Sequence, residues 1–174
     1  MAAEWLRTEG QTAGVLHSIY FAGGCFWGVQ EYFSRVEGVC EVSCGYANGA
    51  TQDPTYEEVC SGYTGYAEAV CVAYDPAVVC LKKLAERFFS IIDPLSLNRQ
   101  GMDVGTQYRS GVYYTGEADR AVLQEVFATQ QQRYDQPIVT ELLPLERYCL
   151  AEEYHQNYLK KNPRGYCHIN LNSL

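Results

Sequence analysis

The residue best placed for covalent chemistry is Cys25. It stands in Gly23-Gly24-Cys25-Phe26-Trp27-Gly28, after an apolar run and before a segment where Phe26, Val29, Phe33 and Val36 recur at helical spacing. The paired glycines permit a tight turn and close backbone approach by a ligand. A cysteine where a helix begins meets unpaired N–H groups and the positive end of the helix dipole, which favour its thiolate. The spacing therefore predicts a thiol pKa below the reference of ~8.5. An inert cysteine buried in a strand-to-helix turn is the plainer alternative. Neighbours on a helix lie about 100° apart, so Phe26 and Trp27 cannot both point along one core stripe. One of them is expected to line a cleft beside Cys25, unless the helix start frays and both pack inward.

Glu68 is the second anomaly. Tyr66, Glu68, Val70, Val72 and Tyr74 share one face of a strand, and Ala67, Ala69, Cys71 and Ala73 share the other. Both faces are largely apolar, as in a central strand. Glu68 then points into an apolar layer, where desolvation raises its pKa and keeps it protonated near neutrality. A neutral carboxylic acid can donate a proton to a substrate oxygen. A carboxyl reaching out to water from the strand's start is the alternative. Tyr56 and Tyr108 stand in polar loops, but with 15 tyrosines in the chain their type alone says little. His155 reads as a hydrogen-bonded support on the last helix rather than a base for Cys25. Cys167, in Gly165-Tyr166-Cys167 after Pro163, lies in a segment that reads as loop. A disulfide needs Cα atoms within ~7 Å. A swinging segment therefore meets a second thiol more readily than the strand cysteines 40, 44 or 71.

The elements that must position these residues alternate. Strands are predicted over residues 18–22, 39–46, 66–74, 110–114 and 138–142. Helices are predicted over residues 26–35, around Leu81, Leu84, Ala85, Phe88, Phe89 and Ile92, and over residues 117–133 and 151–160. Polar loops run through Asn48-Gly49 and Asp53-Pro54, and through Gly101 and Gly105. The tail from Asn162 reads as irregular. Strand, helix, strand, strand, helix, strand is the order of an α+β, ferredoxin-like α/β plait, here with extra helices and a long irregular C-terminal tail. That plait hosts many functions and names no chemistry.

Composition narrows the classes. At 174 residues the chain suits one domain over 1–174. A net charge of −8 with no basic run disfavours nucleic acid and anionic membranes as partners. The first residues include Glu4, Arg7 and Glu9 and lack a secretory apolar core, and no run of 18 apolar residues occurs anywhere. A cytoplasmic monomer is the expectation. The eight cysteines include no Cys-x-x-Cys pair and are joined by only three histidines, so no metal site is expected. No Gly-x-Gly-x-x-Gly fingerprint suggests a nucleotide cofactor, and no cofactor is expected. Cys40, Cys44, Cys60, Cys71 and Cys80 read as reduced thiols packed as small hydrophobes.

Gly24-Cys25-Phe26-Trp27-Gly28 resembles the signature of the A-type peptide methionine sulfoxide reductases. So do, in order, Gly45-Tyr46, Asn48-Gly49, Pro54-Thr55-Tyr56-Glu57-Glu58-Val59, Thr64-Gly65-Tyr66-Ala67-Glu68-Ala69-Val70 and Gly105-Thr106-Gln107-Tyr108-Arg109-Ser110. Ala151-Glu152-Glu153-Tyr154-His155-Gln156 and Asn162-Pro163-Arg164-Gly165-Tyr166-Cys167 complete the set, so the likeness runs over about residues 18–169. Reductases of this class are the known repair route for methionine sulfoxide, one enzyme per epimer at sulfur.

The resemblance implies reduction of the S epimer, free or in peptides and proteins. Cys25 attacks sulfur, Glu68 is the acid, and Tyr56 and Tyr108 aim hydroxyls at the sulfoxide oxygen. Phe26 and Trp27 hold the methyl group, and Asp103 hydrogen-bonds in the pocket. The Cys25 sulfenic acid is then trapped by Cys167, and thioredoxin reduces the disulfide. Two departures stand out. No cysteine follows Cys167, whereas some relatives relay the disulfide to a later one. Cys149 stands where relatives usually carry tyrosine. The ending Cys167-His168-Ile169-Asn170 resembles forms fused to a B-type reductase domain, and the resemblance thus offers, as an alternative, one domain of a longer protein. Two rival readings remain: another cysteine-nucleophile enzyme, such as a hydrolase using Cys25 and His155, and an inactive module that binds oxidised methionine. The intact Cys25, Glu68 and Cys167 set argues against the second.

Overall fold

A computed structural model describes residues 14–174, and the reading of the first residues as lacking a leader lies outside the described residues. The fold is mixed α+β. In chain order come β1 (His17–Gly23), α1 (Phe26–Ser34), β2 (Val39–Ala47), α2 (Tyr56–Cys60), β3 (Ala67–Tyr74) and α3 (Leu81–Ile91). Then follow β4 (Arg99–Gln100), β5 (Asp103–Val104), a 3₁₀ turn (Thr106–Tyr108), β6 (Ser110–Tyr114) and α4 (Glu117–Gln131). The chain finishes with β7 (Glu141–Pro144), β8 (Tyr148–Leu150), a second 3₁₀ turn (Glu153–His155) and α5 (Tyr158–Lys161). The main sheet has six strands in the order β7-β6-β1-β3-β2-β8, antiparallel except where β7 runs parallel to β6. Among the described residues no helix is long and apolar enough to cross a membrane.

Strand β3 pairs with β1 on one side and β2 on the other, which accounts for its apolar residues on both faces. Its Val70, Val72 and Tyr74 face the main core, while Ala67 and Ala69 join Ala22, Ala47 and Tyr113 on the opposite face. On the core face Phe21 of β1 lies between Phe33 of α1 and Phe88 of α3, with ring centroids 4.8 and 4.9 Å away. One phenylalanine thus fixes both helices against the centre of the sheet.

The ends of the chain depart from the periodicity. The last predicted strand starts three residues late. Ile138 N–H donates to Gln131 Oε1 at 3.0 Å and Val139 N–H to the carbonyl of Pro94 at 2.8 Å, so this stretch bonds elsewhere before joining β6. The single helix predicted over residues 151–160 is two short pieces. Gln156 acts like a strand residue between them: its Oε1 accepts from Cys44 N–H at 2.8 Å and its Nε2 donates to the Cys44 carbonyl at 2.9 Å. Asn157 then adopts a left-handed conformation (φ 53°), which breaks the helix and which asparagine tolerates well. Helix α2 and the small β4–β5 pair lie within what reads as loop. The first carried a signal: Thr55 and Glu58 form a capping box, with side chain to backbone bonds of 3.2 and 2.8 Å.

Candidate active site

Strand β1 ends in Gly23, Gly24 turns the chain at φ +83°, and Cys25 is the residue that begins α1. Its side chain is 8% exposed. The first free N–H of the helix start, that of Phe26, does not serve the thiol. Phe26 N–H instead donates to Glu68 Oε2 at 3.1 Å, bridging α1 to β3 beneath Cys25. The expected low thiol pKa is therefore corrected. Burial pushes the Cys25 thiol well above the ordinary range, a negative charge on Glu68 adds to this, and the N–H of Trp27 opposes it. Burial and a carboxyl that takes the first N–H outweigh the helix dipole here.

Glu68 is 1% exposed. Burial pushes its pKa up to about 8; the Phe26 N–H pulls the other way and the charge of Asp103 adds to the rise. At neutral pH it is an acid, as its place in the strand implied.

Tyr56, at the start of α2, and Tyr108, at the end of the first 3₁₀ turn, are both half-buried. Burial raises the pKa of each, and Glu68 lies within electrostatic reach of both. Each hydroxyl keeps its proton and remains a donor. Asp103, from the β4–β5 hairpin, acts on Cys25, Glu68 and Tyr108, and accepts a hydrogen bond from Tyr166 Oη at 3.1 Å. These residues come from five separate segments and converge on the start of α1.

The two aromatics after Cys25 divide their work. Phe26 is 1% exposed and packs against Tyr46 and His155, with centroids 5.8 and 5.1 Å away. Trp27 is half-buried, stacks on Tyr158 at 3.7 Å, and donates from Nε1 to His155 Nδ1 at 3.0 Å. His155 lies in the second 3₁₀ turn, not on the last helix. Its Nδ1 is occupied by Trp27, its Nε2 is buried without a partner, and burial lowers its pKa. The bond from Trp27 makes His155 a hydrogen-bonded support of the α1 aromatics, as the sequence suggested, although in the 3₁₀ turn.

Cys167 is half-buried, and its Sγ lies over the first turn of α1, where a Cβ on Gly28 would come within 2.9 Å of it. The tail is fastened there rather than loose: Tyr166 bonds Asp103, His168 Nε2 bonds the Gly23 carbonyl at 2.8 Å, and Ile169 is buried in the core. Cys149 stands opposite Tyr46, which stands opposite Glu68. Two strand spacings of ~4.8 Å put its backbone about 10 Å from that of Glu68, with Tyr46 between them. Its thiol lies 3.7 Å from Tyr66 Oη. Of the cysteines read as core fillers, Cys44 is buried and Cys71 partly so, but Cys40, Cys60 and Cys80 are exposed. Cys60 ends α2, Cys80 precedes α3, and Cys40 sits at the bulge in β2, where apolar neighbours in sequence do not imply burial.

Sequence reasoning gave no role to Tyr46 and Glu152. Tyr46 Oη donates to Glu152 Oε1 at 2.8 Å, and Glu152 Oε2 accepts from Tyr56 N–H at 3.1 Å. Glu152 thereby joins β2, α2 and the second 3₁₀ turn, and holds the start of α2 where Tyr56 stands. Its place in Ala151-Glu152-Glu153-Tyr154-His155 was a motif match without a stated purpose.

The family model for peptide methionine sulfoxide reductase matches residues 17–174. The peptide methionine sulfoxide reductase MsrA of Clostridium botulinum is 55% identical over 156 residues, covering 90% of this chain and 99% of the relative. Among solved structures, Mxr1 from Saccharomyces cerevisiae in reduced form superposes with a TM-score of 0.85 at 38% identity, covering 89% of this chain and 91% of that one. Mxr1 in complex with Trx2 superposes with a TM-score of 0.60 at 27% identity, covering 82% and 84%. A family pattern spanning the described fold, and a relative of nearly full length sharing more than half the aligned positions, show that the chain belongs to the peptide methionine sulfoxide reductases.

Proposed function

We propose that this chain reduces the S epimer of methionine sulfoxide, free or in peptides and proteins, with Cys25 as nucleophile and Glu68 as acid. The observation that carries this reading is the buried carboxyl of Glu68, anchored by Phe26 N–H at the thiol-bearing turn, where burial favours its protonated form. The sulfoxide bond is polar, with positive sulfur and negative oxygen. As the Cys25 sulfur attacks, charge builds on that oxygen. Glu68 protonates it, and the hydroxyls of Tyr56 and Tyr108 donate to it where the charge develops. The carboxylate so formed takes up the Cys25 proton. The oxygen then passes from the substrate sulfur to the Cys25 sulfur as the S–S bond formed in the attack breaks, so sulfoxide and thiol become thioether and sulfenic acid with no net change in protons or charge in the buried site. A raised thiol pKa is compatible with this route, because the thiol gives up its proton only as Glu68 gives up its own.

In this reading the flat of Trp27, braced by Tyr158 and His155, is the outer wall for the substrate methyl, and the edge of Phe26 is the floor. Asp103 hydrogen-bonds at the rim. Cys167 resolves the sulfenic acid, and the complex of Mxr1 with Trx2 supports a thioredoxin as the reductant. The scaffold is a ferredoxin-like plait of β1, β2, β3 and β6 with α1 and α3, supported by the central order β6-β1-β3-β2.

Chirally pure substrates test the function. With dithiothreitol, methionine release from the S sulfoxide should exceed that from the R sulfoxide by at least about 10³-fold, the discrimination expected when the wrong epimer leaves buried donors unpaired. Equal turnover of both epimers, or of neither, would refute the reading.

A further inference from the structure

We infer that His168 is a positioning residue that presets the Cys25–Cys167 approach by clasping the backbone after one thiol to the turn before the other. This rests on the resolving role proposed above for Cys167. His168 Nε2 donates to the carbonyl of Gly23 at 2.8 Å. Gly23 lies two residues before Cys25 and His168 one residue after Cys167. A single hydrogen bond thus ties together the chain segments that must be joined by a disulfide.

The fit around the ring is specific to this contact. Gly24 has φ +83°, and a Cβ there would lie 2.9 Å from His168 Nε2 and 2.7 Å from Gln100 Cβ. The imidazole rests directly on the glycine turn. Gln100 is held from behind by bonds of 2.9 Å to both the N–H and the carbonyl of Asp93. His168 Nδ1 is buried without a partner. Only the neutral tautomer with its proton on Nε2 suits the site, and burial lowers the His168 pKa in keeping with that. Nothing in the reduction step uses this side chain.

The step it serves is balanced. The Cys167 sulfur bonds the Cys25 sulfur as the S–O bond of the sulfenic acid breaks, and the departing hydroxide takes the Cys167 proton to leave as water. The oxidising equivalents come from the sulfoxide already reduced. In this structure both thiols are free, with Cys167 Sγ held over Gly28. The clasp keeps this segment against the turn so that the search for a productive S–S approach is short.

The test is a single turnover with one equivalent of the S sulfoxide and no reductant, using the full chain. Methionine release reports the first step, and quenched peptide mapping reports the Cys25–Cys167 bond. In His168→Ala, methionine release should keep its wild-type rate while disulfide closure slows about 10- to 100-fold, with a dimedone-trappable sulfenic acid accumulating on Cys25. His168→Gln, whose Nε2 can reach the Gly23 carbonyl, should restore closure. His168→Asn, which is too short, should not, and it serves in place of the alanine variant if that fails to fold. Closure at the wild-type rate in both short variants, an equal slowing of methionine release, or no rescue by glutamine would overturn the clasp. A wild-type protein that releases methionine without forming the Cys25–Cys167 bond would instead refute the resolving assignment.

Discussion

Cys25→Ser is expected to fold like the wild type and to lose turnover by on the order of 10³-fold or more with any reductant, because a covalent nucleophile leaves only residual catalysis when removed. Folding should survive because the Cys25 side chain makes no capping bond to α1 and serine is close to it in shape. The serine hydroxyl cannot form the sulfur–oxygen product that ends the first step. Chromatographic measurement of methionine, alongside a thermal melt, reads both expectations. Retention of a tenth of the activity would place the nucleophile elsewhere. Cys44 would be the first suspect, since its Sγ lies 3.6 Å from the Phe26 carbonyl, on the buried side of the same turn.

Glu68→Gln should lower kcat/KM by ~10²–10⁴, the usual worth of one general acid. Glutamine still accepts from Phe26 N–H and still donates, so the loss reports the proton rather than the shape. The pH profile is the sharper reading. With its pKa pushed up to about 8, Glu68 is protonated below that pH and ionises above it. If the fully protonated pair is the reacting form, wild-type kcat/KM is level below pH 8 and falls above it, to roughly a tenth one unit higher. The glutamine variant has no such break. Activity that climbs through pH 8 in the wild type would mean that a form with one proton fewer reacts, and the proposed exchange between Cys25 and Glu68 would be wrong.

Much of this site was legible in the sequence because its centre sits on regular elements. The two-residue alternation of β3 put Glu68 in an apolar face, and the 3.6-residue spacing after Gly23-Gly24 put Cys25 at a helix start. Both placements hold. Residues carried by short or irregular pieces were legible only through family motifs. Asp103 depends on a hairpin of two-residue strands, and Tyr108 on a single 3₁₀ turn. Periodicity has nothing to count in such lengths. The protonation of Cys25 was misread for another reason. A helix N-terminus favours a thiolate, but no local pattern reveals that a carboxyl 42 residues away accepts from the first N–H. His155 and Gln156 were likewise misplaced on a continuous helix, because the pull of Gln156 on the edge of β2 is a tertiary contact that overrides helical propensity.

The proposal turns on substrate oxidising Cys25 and on Cys167 then taking up that oxidation as a disulfide. The most direct measurement is peptide mapping of the wild-type protein after exposure to one equivalent of methionine S sulfoxide without reductant. The expected result is one methionine released per chain, a Cys25–Cys167 bridge, and Cys44, Cys60 and Cys149 still free. A Cys25–Cys149 bridge, or methionine release with Cys25 unmodified, would contradict it.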